Sequence, residues 1–191
     1  MIFSVKFLRF LIMEKKQVLK LVDLLGRMKT LKRAGWVKRR VDKPESDAEH
    51  SYSLSLLALL LAPDNLDLVK CLKLALIHDL PEALCGDFIP GELSPEEKSS
   101  LEKSAMQKIV SDLDKPELMQ LFEEYEQGDT PEAEFIRSLD RLDNVFTARF
   151  YENKLHLSLV DEFAASALPR INGMKNDNLR KKLEKILKVL S

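Results

Sequence analysis

The chain has 191 residues, 45% hydrophobic and 32% charged, which suits one domain with its own core and excludes wholesale disorder. Six glycines and eight prolines exclude a collagen-like or low-complexity chain. With 30 basic against 31 acidic residues the formal charge is −1, so no global field draws the chain to a nucleic-acid polymer or an anionic membrane.

Residues Met1 to Met13 read MIFSVKFLRFLIM, an apolar run broken by Lys6 and Arg9 and followed by Glu14-Lys15-Lys16. A secretory signal places its basic residues first, and a membrane span needs about 20 apolar residues, so neither fits. Residues 1–12 are read either as an extension ahead of a start at Met13 or as a docking segment, with the domain proper at 13–191. Lys16 to Met28 then spaces Val18, Leu21, Val22, Leu24 and Leu25 as a helix. A basic connector runs from Lys29 to Lys43. Ser46 with Glu49 three residues later forms a capping box, opening a helix to about Ala62, where Pro63-Asp64-Asn65 stops it.

Leu66 to Ile77 is the next helix and leads into His78-Asp79. Pro81 removes a backbone donor, so the helix must kink or restart there, and Gly86 suits a C-terminal cap. Asp87 to Gly91 reads as a loop. Ser94-Pro95-Glu96-Glu97 marks another capped start. Further helices are expected over Glu117 to Gln127, Pro131 to Tyr151, Leu155 to Leu168 and Asn178 to Leu190. No β-alternation and no repeat stand out, so the domain is all-α. Cys71 and Cys85 lack disulfide or C-x-x-C spacing and read as small buried residues of a cytoplasmic protein.

Two of the three histidines fall beside acids in apolar helices. His50 lies in the first turn of its helix, and His78-Asp79 ends the run Leu72-Lys73-Leu74-Ala75-Leu76-Ile77. Polar groups so near a core must be paired or ligated. Asp140 occupies a similar apolar stretch, Phe135 to Asn144. His50, His78, Asp79 and Asp140 together offer two imidazoles and two carboxylates, a mixed N/O set suited to one divalent ion among Mn, Fe, Co, Ni and Zn. Such an ion would acidify a water and polarise a phosphoryl oxygen. Glu82, one turn after His78, and Asp87 are acids placed to move a proton nearby. Taken singly, each residue has an ordinary structural reading: His50 bonded to a neighbouring carboxylate, Asp140 paired with Arg137 or Arg141. His156 has no acid nearer than Glu152 and reads as a surface histidine.

The order His50, His78-Asp79, Asp140 resembles the HD-domain metal-dependent phosphohydrolase superfamily. Leu31 to Val37, Glu45 to His50, Ile77 to Ala83, Gly86-Asp87, Glu123 to Glu126 and Thr130 to Asp140 are similar to its 5′-deoxynucleotidase branch, of the human HD-domain-containing protein 2 type. The resemblance covers roughly Lys16 to Glu152. It implies a single helical HD-domain bundle, a homodimer, and metal-dependent removal of the 5′-phosphate from deoxyribonucleoside 5′-monophosphates. By the same resemblance the metal ligands are His50, His78, Asp79 and Asp140, Glu82 is the acid/base group, and Asp87 is a second catalytic-side carboxylate. Trp36 matches a tryptophan that lies against the sugar. The arginine that precedes this tryptophan in the bacterial enzyme is Gly35 here, which leaves Arg33, Arg39, Arg40 or Lys38 to reach the nucleotide. Without the resemblance, the basic stretch around Trp36 reads as a solvated connector pinned to the core. The rival functions are another HD-type nucleotide phosphohydrolase or phosphodiesterase, and a non-catalytic helical interaction module.

Overall fold

The computed structural model describes residues 13–155 and 158–190, so the readings of residues 1–12 and of His156 lie outside the described residues. In chain order the helices are α1 Lys15–Thr30, α2 Ala34–Lys38, α3 Asp47–Leu61, α4 Leu68–Ile77, α5 Glu82–Cys85, α6 Pro95–Leu113, α7 Glu117–Gln127, α8 Pro131–Leu155, α9 Val160–Asn172 and α10 Asp177–Leu190. Among the described residues the β pairing is one antiparallel bridge, Lys32 to Ser46. The all-α expectation holds. No described helix is long and apolar enough to cross a membrane.

Side chains write most of the helix starts. The Glu49 N–H donates to Ser46 Oγ at 3.3 Å while the Ser46 N–H donates back to the Glu49 carboxylate at 2.7 Å, which opens α3. Ser94 and Glu97 repeat the arrangement at α6, with Pro95 in the first turn. Pro81 ends the preceding helix as expected. Residues 78–81 turn, and the chain restarts as the single-turn α5, which closes where the Gly86 N–H, at φ 90°, donates to the Glu82 carbonyl at 2.7 Å.

Three expectations need correction. The basic connector is not irregular throughout: α2 forms within it, seated by the buried Trp36 and by the bridge hydrogen bonds Arg33 N–H to Glu45 O and Asp47 N–H to Leu31 O, both 3.1 Å. Leu155 ends α8 rather than starting the next helix, because the Glu152 carboxylate reaches forward to accept the N–H groups of Leu159 and Val160 and caps α9 there. Cys85 is half-buried, unlike the fully buried Cys71.

The main core joins α3, α4, α8, α9 and α10 through side chains such as Leu54, Leu74, Phe135, Leu142, Ile171 and Leu183. A second cluster, with Met28, Ile77, Ala83, Met106 and Phe122, lies under α1, α5, α6 and α7. Leu54 is fully buried one turn after His50 on α3, so its packing fixes the helix that carries that imidazole. Leu54→Ala is expected to cost about 2–5 kcal/mol of stability, read as a lowered urea midpoint at unchanged m.

Candidate metal centre and its cleft

Three helices deliver the polar groups to one point. α3 carries His50, the end of α4 carries His78 and Asp79, and mid-α8 carries Asp140; both imidazoles are buried. The His50 and His78 Nε2 atoms stand 3.1 Å apart. Asp140 Oδ1 lies 3.2 Å from His50 Nε2, and Asp79 Oδ2 lies 3.0 Å from His78 Nε2 and 3.6 Å from His50 Nε2. The structure therefore brings together all four residues proposed as ligands, with one donor atom each of His50, His78 and Asp140 within 4.8 Å of one another.

The far side of each ring fixes its tautomer. His78 Nδ1 is 2.8 Å from the Ala75 carbonyl, which only accepts, so Nδ1 donates. His50 Nδ1 is 2.7 Å from the Asp143 carboxylate and donates likewise. Both Nε2 lone pairs consequently point into the same small space as two carboxylate oxygens. Two opposed lone pairs repel unless a positive charge lies against them, so this donor set fits a divalent cation. Where no ion lies, the same carboxylates draw a proton to the His50 Nε2 in its place. Burial and Arg33 work against a charge on His50, yet Asp140, Asp143 and Asp79 prevail and push it up to about 10. Burial would raise Asp79 and Asp140, but His78 and Arg33 hold the first well below the usual carboxylate range and His50 holds the second down.

Asp143 is a site residue that the sequence reading did not single out. It is wholly buried, accepts from His50 Nδ1 and from Ser53 Oγ, and so orients the ring that presents Nε2 to the centre. Its signal was its spacing, three residues after Asp140 on the same face of α8. Asp143→Asn is expected to weaken metal binding by about 10–100-fold while leaving the helical circular dichroism intact. A metal titration checks this.

Next to this group lies a second set of acids, Asp47, Glu82 and Asp87. Burial, followed by the charges of Asp79 and Asp87, pushes the Glu82 carboxyl well above its ordinary value, against the pull of Arg33. Burial and Asp79 push Asp47 up to about 7. Asp47, in the first turn of α3, was also not singled out; both its carboxylate oxygens are buried without a hydrogen-bond partner. Asp87 accepts the Ala34 N–H at 2.7 Å, tying the exit of α5 to α2. Arg33 lies between the two sets, 2.6 Å from Asp79 and 3.7 Å from Glu82.

A cleft of about 960 Å³ opens over these groups, lined by Arg33, Trp36, His78, Asp79, Glu82, Asp87 and Asp140, with Lys38 and Arg39 among its basic walls. Trp36 is only 1% exposed; its indole N–H donates to Glu45 at 2.8 Å and its ring packs on Tyr151 and Phe163. Arg39 is paired with Glu162 and lies over Phe163 at 4.7 Å. Arg40, with its backbone at φ 55° and its side chain exposed, is not among the cleft-lining residues. Asp140 pairs with His50 and, among the described residues, with no arginine, so the salt-bridge reading of that residue gives way.

The family model for the HD domain matches residues 25–186. Human 5′-deoxynucleotidase HDDC2 is 38% identical over 74% of this chain and 71% of its own length. The 5′-deoxynucleotidase hdd1 of Schizosaccharomyces pombe is 35% identical over 71% of this chain and 72% of its own. The crystal structure of the PH0347 protein from Pyrococcus horikoshii superposes with a TM-score of 0.77 at 31% identity, over 90% of this chain and 97% of that one. The paired histidines, the His-Asp step at the end of α4 and the carboxylate on α8 thus stand in a chain that belongs to the HD domain family.

Proposed function

We propose that this chain is a metal-dependent phosphomonoesterase that removes the 5′-phosphate from deoxyribonucleoside monophosphates. The observation that carries the reading is the convergence of His50, His78, Asp79 and Asp140 in a cleft that also holds the buried Glu82. The names of the human and fission-yeast relatives supply the substrate class.

The four side chains would hold one divalent ion, drawn from Co, Mn, Ni, Fe and Zn. When bound, such an ion polarises a phosphoryl oxygen and acidifies water. Glu82 donates its proton to the departing O5′. Arg33 pairs with Asp79, lies 3.7 Å from Glu82, and turns its remaining N–H groups to the phosphate. Asp87 holds the α5 exit loop against α2, which keeps Glu82 and Arg33 in register. Trp36, fixed by Glu45, Tyr151 and Phe163, gives the sugar a rigid wall.

The reading includes a homodimer in the cytoplasm. Helix α3 packs on α1 and α4, and all three leave apolar side chains exposed, among them Val22 at 63%, Tyr52 at 70%, Leu60 at 67% and Val69 at 60%. A second copy of the same face would cover them. Both cysteines are free, which suits a reducing compartment.

The test is phosphate release by the metal-loaded protein from dAMP, AMP and a cyclic dinucleotide. An apolar wall rejects an added hydroxyl by about 10²-fold at most, so a dAMP preference up to that size is expected. Equal release from dAMP and AMP would discard the sugar-reading role of Trp36. Turnover of the cyclic dinucleotide alone would replace the proposal with a phosphodiesterase.

A further inference from the structure

The cleft's arginines are not alike. Arg33 faces Asp79 and Glu82, Arg39 faces Glu162, and Arg137 donates to the Tyr125 carbonyl at 2.7 Å and lies 5.3 Å over the Tyr125 ring. The Arg141 and Arg170 side chains make no hydrogen bond or ion pair with any described residue. Both line the main cleft and also a side pocket of about 500 Å³ that shares Pro90 and Ser166 with it. Glu134, the carboxylate lining that pocket, accepts the Lys175 N–H at 3.1 and 3.2 Å and forms no ion pair with either arginine. Burial, together with the charges of Arg137 and Arg141, holds the Arg170 guanidinium below its ordinary value. Asp140 acts on both arginines but is itself paired with His50, so two guanidinium groups with no ion-pair partner of their own face the cleft and suit an anion.

We propose that Arg141 and Arg170 form a second anion subsite, which takes the 3′-phosphoryl group of a nucleotide whose 5′-phosphate lies at the His50–His78–Asp140 group. The assignment of the 5′-phosphate rests on the nucleotidase reading; the subsite itself rests on the arginines. Arg141 and Arg170 line the same cleft as His78, Asp79 and Asp140, so one ligand in that cleft can present one phosphoryl group to the centre and a second to the arginines. A neutral base would leave both guanidinium charges uncompensated, whereas a phosphoryl group meets them with bidentate hydrogen bonds. The preferred substrate then carries two phosphoryl groups. The second is either the free 3′-phosphate of a deoxynucleoside 3′,5′-bisphosphate or the first phosphodiester of a 5′-phosphorylated dinucleotide.

Two measurements on the full chain test this. The first is kcat/KM of the metal-loaded protein for dAMP, deoxyadenosine 3′,5′-bisphosphate and 5′-phosphorylated deoxyadenosine dinucleotide, in the wild type and in the R141A/R170A double variant. Both side chains are exposed, and circular dichroism verifies that the variant folds. A wild-type preference of about tenfold or more for either two-phosphate substrate over dAMP is expected, one charge-assisted contact being worth at least that factor. The substrate that gains identifies the source of the 3′ group. In the double variant the preference should vanish while dAMP stays within about twofold. No preference in the wild type, a preference that survives the substitutions, or an equal loss on dAMP overturns the proposal. The second is titration of deoxyadenosine 3′-monophosphate, which has no 5′-phosphate to lose. A Kd at least about tenfold weaker in the double variant supports the subsite even where dAMP is not hydrolysed, so the nucleotidase reading can fail alone. An unchanged Kd overturns the subsite.

Discussion

Replacing His78 with alanine is expected to strip the protein of its divalent ion and to abolish phosphate release. The His78 Nδ1–H is held by the Ala75 carbonyl at 2.8 Å, so the ring has no freedom to present anything but Nε2 to the centre. That Nε2 lies within 3.1 Å of the His50 Nε2 and 3.0 Å of Asp79, and no other described nitrogen stands ready to replace it. A loss on the order of 10³-fold or more in kcat/KM follows, because an ion's charge stabilisation is worth several kcal/mol and about 1.4 kcal/mol is tenfold in rate. Elemental analysis and phosphate release are measured on the same preparation. A variant with wild-type metal content, or with wild-type turnover, would show that His78 is a core histidine and no ligand.

Glu82→Gln separates proton transfer from metal binding. Glu82 is 3% exposed, four residues past His78, and burial with the charges of Asp79 and Asp87 raises its carboxyl well above the ordinary value. Glutamine preserves shape and neutrality but gives no acidic proton to the departing O5′. The kcat on dAMP should therefore fall by about 10²–10⁴-fold with metal content unchanged. p-Nitrophenyl phosphate, whose leaving group departs without a proton, should lose far less. Equal losses on the two substrates would assign Glu82 to holding the site's shape, and an unchanged kcat would remove it from the chemistry.

Taken singly the four ligand candidates had ordinary readings, and they were legible through their order, which resembles the HD-domain pattern, and through the apolar runs that lead into His78-Asp79 and surround Asp140. The break at Pro81 was equally legible, since a missing N–H is a local fact. Other features depend on contacts made across the fold. Asp47 looks like an ordinary first-turn acid; its burial beside Glu82 and Asp87 exists only once the chain has folded α3 and α5 together. Helix α2 was hidden by Gly35 and its basic neighbours, because what seats it is the burial of Trp36 against Tyr151 and Phe163, over a hundred residues away. The start of α9 was misplaced for a similar reason: Glu152, read as a passing acid near His156, caps it from the preceding helix. Asp143 is the exception. Its three-residue step from Asp140 was visible, and the weight given to the four-ligand pattern left it unread.

The central claim is that the His50–His78–Asp79–Asp140 group holds an ion on which phosphate release from a deoxynucleotide depends. Phosphate release from dAMP by chelator-stripped protein, before and after addition of Co²⁺ or Mn²⁺, tests it most directly. The structure predicts no release from the stripped protein and its recovery on adding metal. Release that persists after stripping and ignores added metal, or no release in either state, would contradict the claim.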